Sequence, residues 1–463
     1  MSTADQPAAV TRALAEFAVN RDLSDLPEGV LDLVRRSLVD TVGVTIAARD
    51  EPAVRILRAT LGEDLPAGPA TVLVDGARTT APTAALLNGT AGHALDFDDV
   101  TDVTYGHPSV VLWPALLAAA QQAGATGRQL AEAFVVGFGA QCAVARGMRI
   151  REHYGRGWHS SATVGVIGAT AGVARLLGMD VDRTRCALGI AASMAGGSRQ
   201  NFGTMTKPLH VGLAARDAVL AASLAGNGFT ADPDQLEKPL GFFAVFSETR
   251  QLDAVLESIN GPFALTVHGL NVKKYPCCYN THRTADATLD LAAREGLKAD
   301  EVRRVRLTLE PGGFDPLIHH RPQTGLHGKF SAEYVIAAAL LDGAVGLSSF
   351  TDAAVRRPQA QELLARVEFA ESARPPVGEA SWDQAYSVVT VETDRGEFTL
   401  RADVPRGDRR APLSRADLEA KFRDCLDFSG AGWDADDLLA ELWRFDTGRP
   451  VALAALTPST GVA

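Results

Sequence analysis

The chain is poor in the residues and patterns that mark special-purpose sites. Its five cysteines (Cys142, Cys186, Cys277, Cys278 and Cys425) are an odd set with no CxxC pair. A disulfide framework and a cysteine-based zinc site are therefore not expected, and a reducing cytoplasm fits best. Long hydrophobic runs are also missing: stretches such as Ala162 to Ala174 stop at Arg175 and are rich in Gly and Ala, so no membrane partner is expected. The opening MSTADQPAAVTRALAEF places acids early and has no apolar core, which argues against a secretory signal. Acidic residues outnumber basic ones, 56 to 45. A net charge of -11 argues against a nucleic-acid partner, which needs a basic face, although a local site can still hold an anion. No HExxH, dinucleotide fingerprint, EF-hand loop or GxxxxGK[ST] loop occurs, so neither a metal nor a cofactor is expected. No serine sits in a GxSxG elbow.

What is present is enough for a large folded protein. With 463 residues, 46% of them hydrophobic, the chain can build two or three domains with substantial cores. From the start to residue 268 the apolar spacing is helical, as at Leu31, Val34, Leu38 and Val42. The exception is Ala70 to Thr79, a short β-like run around a DG turn. A proline-started helix is expected from Pro114 to Ala123, and another from Gln129 to Ala145. These helices are apolar nearly all round and belong in the interior of a helical domain. After Gly269 the character changes. EVRRVRLTLEPG, RVEFA, YSVVTVET and EFTLRADV read as short strands, with a helix from Phe330 to Leu341 between them. The expected organisation is mainly α: a helical domain from residues 1–268, a smaller α+β domain from 269–404, and a return to the helical domain over 405–463.

Chemistry concentrates in Asn88 to Val111, NGTAGHALDFDDVTDVTYGHPSVV, which holds His93, His107, Asp96, Asp98, Asp99 and Asp102. Imidazoles and carboxylates are the groups whose pKa values local surroundings bring to the working pH. The competing reading is an acidic helix end with solvated aspartates. GRGWHSSATVG sets His159 before a small-residue helix, with Ser160 and Ser161 as candidate N-caps. AGGSRQNFGTMTKPLHVG carries Arg199 and Lys207 in a Gly-rich loop, a candidate clamp for a carboxylate. VKKYPCCYNTH brings Lys273, Lys274 and vicinal Cys277 and Cys278, read as small buried hydrophobes rather than a disulfide. Lys329 in HGKFSAEY is read as solvated.

Together and in this order, LVDTVGVTIAA, LLNGTAGHALDFDD, GHPSVVLWPALLA, GRGWHSSATVG, FGTMTKPLHVG, VKKYPCCYNTH, GKFSAEYV and PRGDRRAPLS resemble the MmgE/PrpD family. That family includes 2-methylcitrate dehydratase, cis-aconitate decarboxylase and iminodisuccinate epimerase. The resemblance implies a helical domain built from both chain ends, an α+β lid, a homodimer and an active site between helical domain and lid, acting on a small carboxylate. It also implies catalytic roles for Asp96, His107, His159, Lys207 and Lys273, with Asp96 orienting an imidazole, and a lid tyrosine at Tyr334. Two positions depart from the decarboxylase pattern. Val100 stands where a threonine follows DFDD, with Thr101 next as the substrate-binding candidate, and Cys278 replaces a lid histidine. The missing imidazole ranks dehydration of a citrate-like hydroxy-polycarboxylate first. Epimerisation of a small dicarboxylate follows, then cis-aconitate-type decarboxylation, with a carboxylate-binding protein as the non-enzymatic alternative.

Overall fold

The computed structural model describes residues 9–62, 65–380 and 385–449. Residues 1–8, part of the stretch read for a leader, and 450–463, the end of the expected C-terminal helical segment, lie outside the described residues. The fold is mainly helical with two small sheets. It divides into two compact units: Met1–Ala94, Asp98–Leu270 and Ala416–Ala463 form the first, Leu95–Phe97 and Asn271–Arg415 the second.

The first unit is helical apart from β1 (Ala70–Thr71) and β2 (Arg78–Thr79), an antiparallel pair closed through the Asp75-Gly76 turn. Its centre is the crossing of Thr206–Gly226 with Ala81–Ala94. Small residues let the two backbones approach: a methyl on Gly212 would lie 2.1 Å from Thr90 Oγ1 and 2.4 Å from the Leu86 carbonyl. Among the described residues, Thr206–Gly226 is the one helix long and apolar enough to cross a bilayer, rather than the run at Ala162 to Ala174. Burial against Ala81–Ala94 accounts for that composition. Gly127–Gly147 starts on a capping box between Thr126 and Gln129. The helix expected from Pro114 begins earlier, at Ser109, and runs through the proline to Ala123. Asp99 binds both the N–H and the hydroxyl of Ser109, so the helix is capped by a residue ten positions back that no local pattern announces. The C-terminal helix Arg415–Ser429 buries Lys421 against Asp40 at 2.6 Å.

The second unit holds a four-stranded sheet built from β3 (Arg304–Leu309), β4 (Val367–Glu371), β5 (Ser387–Thr393) and β6 (Gly396–Ala402). The order is β4-β3-β5-β6, with β3–β4 parallel and the other pairs antiparallel. Val305, Leu307, Val389 and Val391 pack with Leu291 and Ile336, from helices His282–Glu295 and Ala332–Asp342, in one core. The 405–415 loop, expected with the helical domain, belongs to this unit. Gly407 O accepts from Val272 N at 2.8 Å, Arg406 pairs with Asp286 at 2.9 Å and Tyr279 donates to Asp408.

The helix crossing yields a stability prediction. Gly212→Ala should destabilise the protein by about 1–3 kcal/mol through overpacking. Gly226→Ala, with nothing within 4 Å of the new methyl, should be neutral or mildly stabilising. Urea denaturation of the two variants measures the difference, and equal midpoints would remove the close crossing from the account.

Candidate active site

His93 sits in the last turn of Ala81–Ala94, and its imidazole is fully buried. Its Nδ1 lies 3.0 and 2.9 Å from the two oxygens of Asp98. His107 Nδ1 approaches the same carboxylate at 3.0 Å. One buried aspartate thus holds two imidazoles, whose centroids are 4.5 Å apart, edge to face. The loop between them is tied down at several points. Thr101 N bonds Gly106 O, Thr101 Oγ1 bonds Gly269 O, and His107 N bonds Ser161 Oγ. Ser160 Oγ donates to the Tyr105 carbonyl. Ser160 and Ser161 therefore anchor this loop and cap no helix of their own. A methyl on Gly106 would meet both serine hydroxyls at about the same short distance, 2.9 and 3.0 Å.

The row of rings continues. His159 stacks 5.7 Å from His93, and its Nδ1 lies 3.3 Å from Nδ1 of His210. The segment around His159 is held by an isolated bridge between Trp158 and Ser198, with His159 N bonded to Gly197 O. Lys207, buried one turn before His210, has its Nζ 5.3 Å from the centre of the Phe202 ring, and His159 packs on that same ring. Arg199 is directed elsewhere: its guanidinium stacks 3.5 Å from the Tyr154 ring centre and donates to the Tyr154 carbonyl. That geometry makes it a brace for the loop and gives no support to a carboxylate clamp.

Electrostatics follows from burial. Burial alone would raise Asp98, but His107 and His93 hold its carboxyl well below the usual range. Burial, opposed by Asp98 and reinforced by Lys207 and His107, lowers His93 to about 3. Burial also depresses His159, with His93, Lys207, His210 and His107 adding to it, and depresses His210, with Lys207 adding. Asp99, the next residue after Asp98, goes the other way. Burial and the nearby Asp40 raise it to about 8. The carboxylate of Asp98 therefore fixes a proton on His93 Nδ1 and leaves Nε2 as a lone pair. Ligand atoms of His93, Asp98 and His107 all lie within 4.8 Å of one another, a set that sequence spacing did not reveal. The 2.9–3.0 Å separations between the imidazole nitrogens and the Asp98 oxygens are those of hydrogen bonds.

Other expected site residues lie in the second unit. Asp96 takes a left-handed backbone (φ 52°), and Lys273 Nζ binds both its carbonyl, at 2.7 Å, and its carboxylate, at 3.0 Å. Asp96 thus pairs with a lysine, and within the first unit Asp98 meets the imidazoles. Lys329, expected to be solvated, is buried and donates to the carbonyls of Leu95 and Pro276. Tyr334 is fully buried, with its hydroxyl on the Ser349 carbonyl. Cys278 packs in the apolar core with Leu291 and Ile336, and Cys277, also buried, meets Thr281 Oγ1 at 3.1 Å. Thr101, in the first unit, is spent on its loop. Sequence reasoning left His93, Asp98 and His210 off the site. GHALDFDD contained the first two, and the KPLH spacing, which puts His210 one helical turn after Lys207, was the available signal for the third.

A helical unit with a buried, carboxylate-anchored row of imidazoles beside a lysine has the makings of an acid–base enzyme. Residues 12–255 match the model of the MmgE/PrpD N-terminal domain, and residues 275–444 that of the C-terminal domain. The chain belongs to the MmgE/PrpD family. It is 33% identical to the cis-aconitate decarboxylase of Homo sapiens over 351 residues, covering 73% of this chain and 71% of that protein. The Mus musculus enzyme of the same name is 32% identical over 352 residues (73% and 70%), and one from Aspergillus terreus 26% over 387 (78% of each). The relatives carry the name of a decarboxylase, whereas Cys278 ranks dehydration first.

Two predictions come from these charges. The depressed imidazoles of His93, His159 and His210 stay neutral in the fold while the unfolded chain protonates below about pH 6.5. Stability should then fall as pH drops through that range, by about 1.4 kcal/mol per pH unit for each group. Asp99 has the opposite sign: protonated in the fold up to about 8, it costs stability as pH rises from ~4 toward 8. Three imidazoles outweigh one carboxyl at acid pH, so the urea midpoint should peak near pH 6.5, and Asp99→Asn should flatten the alkaline arm and steepen the acid arm. A midpoint indifferent to pH between 4 and 8 would contradict the neutral row.

The second prediction concerns Asp96 and Lys273. Asp96→Asn or Lys273→Met alone leaves a buried charge without its partner and should cost about 3 kcal/mol. The double variant should cost clearly less than the sum, and a double-mutant cycle by urea denaturation reads the coupling. Additive costs would show that the two residues act separately.

Proposed function

We propose that the chain is a decarboxylase of an unsaturated tricarboxylate of the cis-aconitate class, using its own side chains as acid and base. The observation that carries this reading is the Asp98-anchored row His107, His93, His159 and His210 beside Lys207, in a chain whose relatives are named for that reaction.

In such a substrate one carboxylate sits on a carbon next to the C=C bond. Its C–C bond breaks to release CO2, and the freed pair forms a new double bond to the neighbouring carbon. The original π pair moves to the far carbon, which bears another carboxylate and takes up one proton. Charge thus spreads over that carboxylate before protonation, and a fixed cation lowers the barrier. Lys207 fills this role. His159, adjacent to Lys207, is the proton donor. Burial and Lys207 keep it neutral on its own, and the negative charge of a bound tricarboxylate reverses that bias and makes the imidazolium available. After product release His159 regains its proton from a solvent hydronium ion, which balances the proton delivered to carbon, while His93, locked by Asp98, stays neutral beside it.

The test is proton and carbon NMR in deuterated buffer with cis-aconitate. Release of CO2 with one deuterium on the protonated carbon is expected. His159→Gln should lower kcat about 10²-fold or more at little change in KM, whereas Lys207→Ala should raise KM markedly. Loss of water from a 2-methylcitrate-like hydroxy acid without CO2 would replace this reading with dehydration. Deuterium exchange alone in a small dicarboxylate would point to epimerisation, and no turnover with the whole panel to a binding protein.

A further inference from the structure

His210 has no assigned part in this chemistry, yet it is the polar neighbour of the proposed acid. Its Nδ1 faces Nδ1 of His159 at 3.3 Å. Between two such nitrogens one must carry the hydrogen and the other the lone pair. We propose that His210 is a positioning residue: its Nδ1 accepts the Nδ1–H of His159, which keeps the transferable proton of His159 on Nε2. The tautomer and its catalytic consequence both rest on the reading of His159 as the proton donor.

The arrangement is built rather than incidental. His210 lies on Thr206–Gly226, and its ring packs against Gly197, where an added methyl would sit 3.2 Å from ring atoms Cγ and Nδ1. Gly197 has φ 117°, a conformation open to glycine, and its carbonyl accepts from His159 N at 3.0 Å. One glycine thus sets the distance between the two rings. The direction of the hydrogen bond follows from the chemistry. A ring that gives and regains a proton at Nε2 must keep its Nδ1 protonated in both states, as the aspartate of a Ser-His-Asp triad ensures for its histidine. Charge is disfavoured on both rings: Lys207 faces each of them, and His93 and His107 also face His159. His210 therefore stays a neutral acceptor. A carboxylate in its place would hold the proton on His159 more firmly, whereas a neutral imidazole orients the ring and leaves the imidazolium acidic. His93 and His159 thus receive different partners: Asp98 faces a ring held neutral, and His210 faces the proton donor.

The experiment uses the full chain with ¹⁵N-labelled histidine, His159 being assigned by the signal lost in His159→Gln. Nitrogen–proton correlation spectra of the unliganded wild type should show His159 protonated at Nδ1 and bare at Nε2. His210→Leu should disturb that pattern, lower kcat roughly 10- to 100-fold with KM changed less than about threefold, and move the acid limb of the pH–rate profile. His210→Asn, which returns an acceptor oxygen near the Nδ1 position, should restore the pattern and most of the rate. A wild-type His159 protonated at Nε2 overturns the proposal, as does His210→Leu with unchanged tautomer and rate, or an asparagine variant no better than leucine. If wild type decarboxylates nothing, the function is refuted while the wild-type spectrum still decides the tautomer.

Discussion

A single ionised carboxylate in a dry interior governs the candidate site. Asp98 has no exposed surface, and burying such a charge costs several kcal/mol unless donors surround it. The donors here are His93 and His107, which approach its oxygens within 3.0 Å. The arrangement is reciprocal. The carboxylate stays ionised because two N–H groups face it, and each imidazole has its tautomer fixed because a carboxylate faces it. Asp99 shows how local this balance is. One residue further on, beside Asp40 and bonded only to Ser109, a carboxyl is pushed up to about 8 instead of down. Adjacent aspartates thus take opposite protonation states: one orients imidazoles and the other caps a helix.

So many polar rings can be buried only where backbone approaches closely enough to supply partners. The Gly and Ala composition of Ala81–Ala94 and Thr206–Gly226 allows that approach. His93 comes from the first helix, and Lys207 and His210 come from the second. Larger side chains at Gly89 or Gly212 would separate the two helices and with them the lysine and the imidazoles. The small-residue character that looked like generic core packing therefore also sets the geometry of the site.

Much of this was legible in the sequence, and the omissions have physical causes. The helical first unit and the strands after Gly269 follow from periodicity, and the stretch around His93 and His107 from its density of acids and imidazoles. Which aspartate of DFDD meets the imidazoles was not legible, because the choice depends on backbone direction. Asp96 adopts a left-handed conformation and binds Lys273, and Asp98 meets the histidines. Lys329 read as solvated because most lysines are, but the carbonyls of Leu95 and Pro276 that hold it are distant in sequence. Tyr334, a site candidate by its motif, is fully buried with its hydroxyl on the Ser349 carbonyl, a bond the local pattern does not announce. The contacts of Asp96 with Lys273 and of Lys329 with Leu95 join residues far apart along the chain, which local patterns do not encode.

The sign of the electrostatics bears on how such a site would work. Lys207 and burial together hold the neighbouring imidazoles in their neutral forms. A neutral imidazole is a poor acid, so the row is not ready to protonate carbon on its own. A substrate with three carboxylates reverses the local field, because each negative charge near His159 favours the imidazolium that Lys207 disfavours. The acid would then form only when the molecule to be protonated is in place. The same logic gives Lys207 two roles, drawing the carboxylates in and suppressing protonation until they arrive. Replacing it with a neutral residue would weaken binding while making His159 easier to protonate, so the two effects on rate oppose each other. For that reason KM reports the carboxylate contact of Lys207 more cleanly than kcat does.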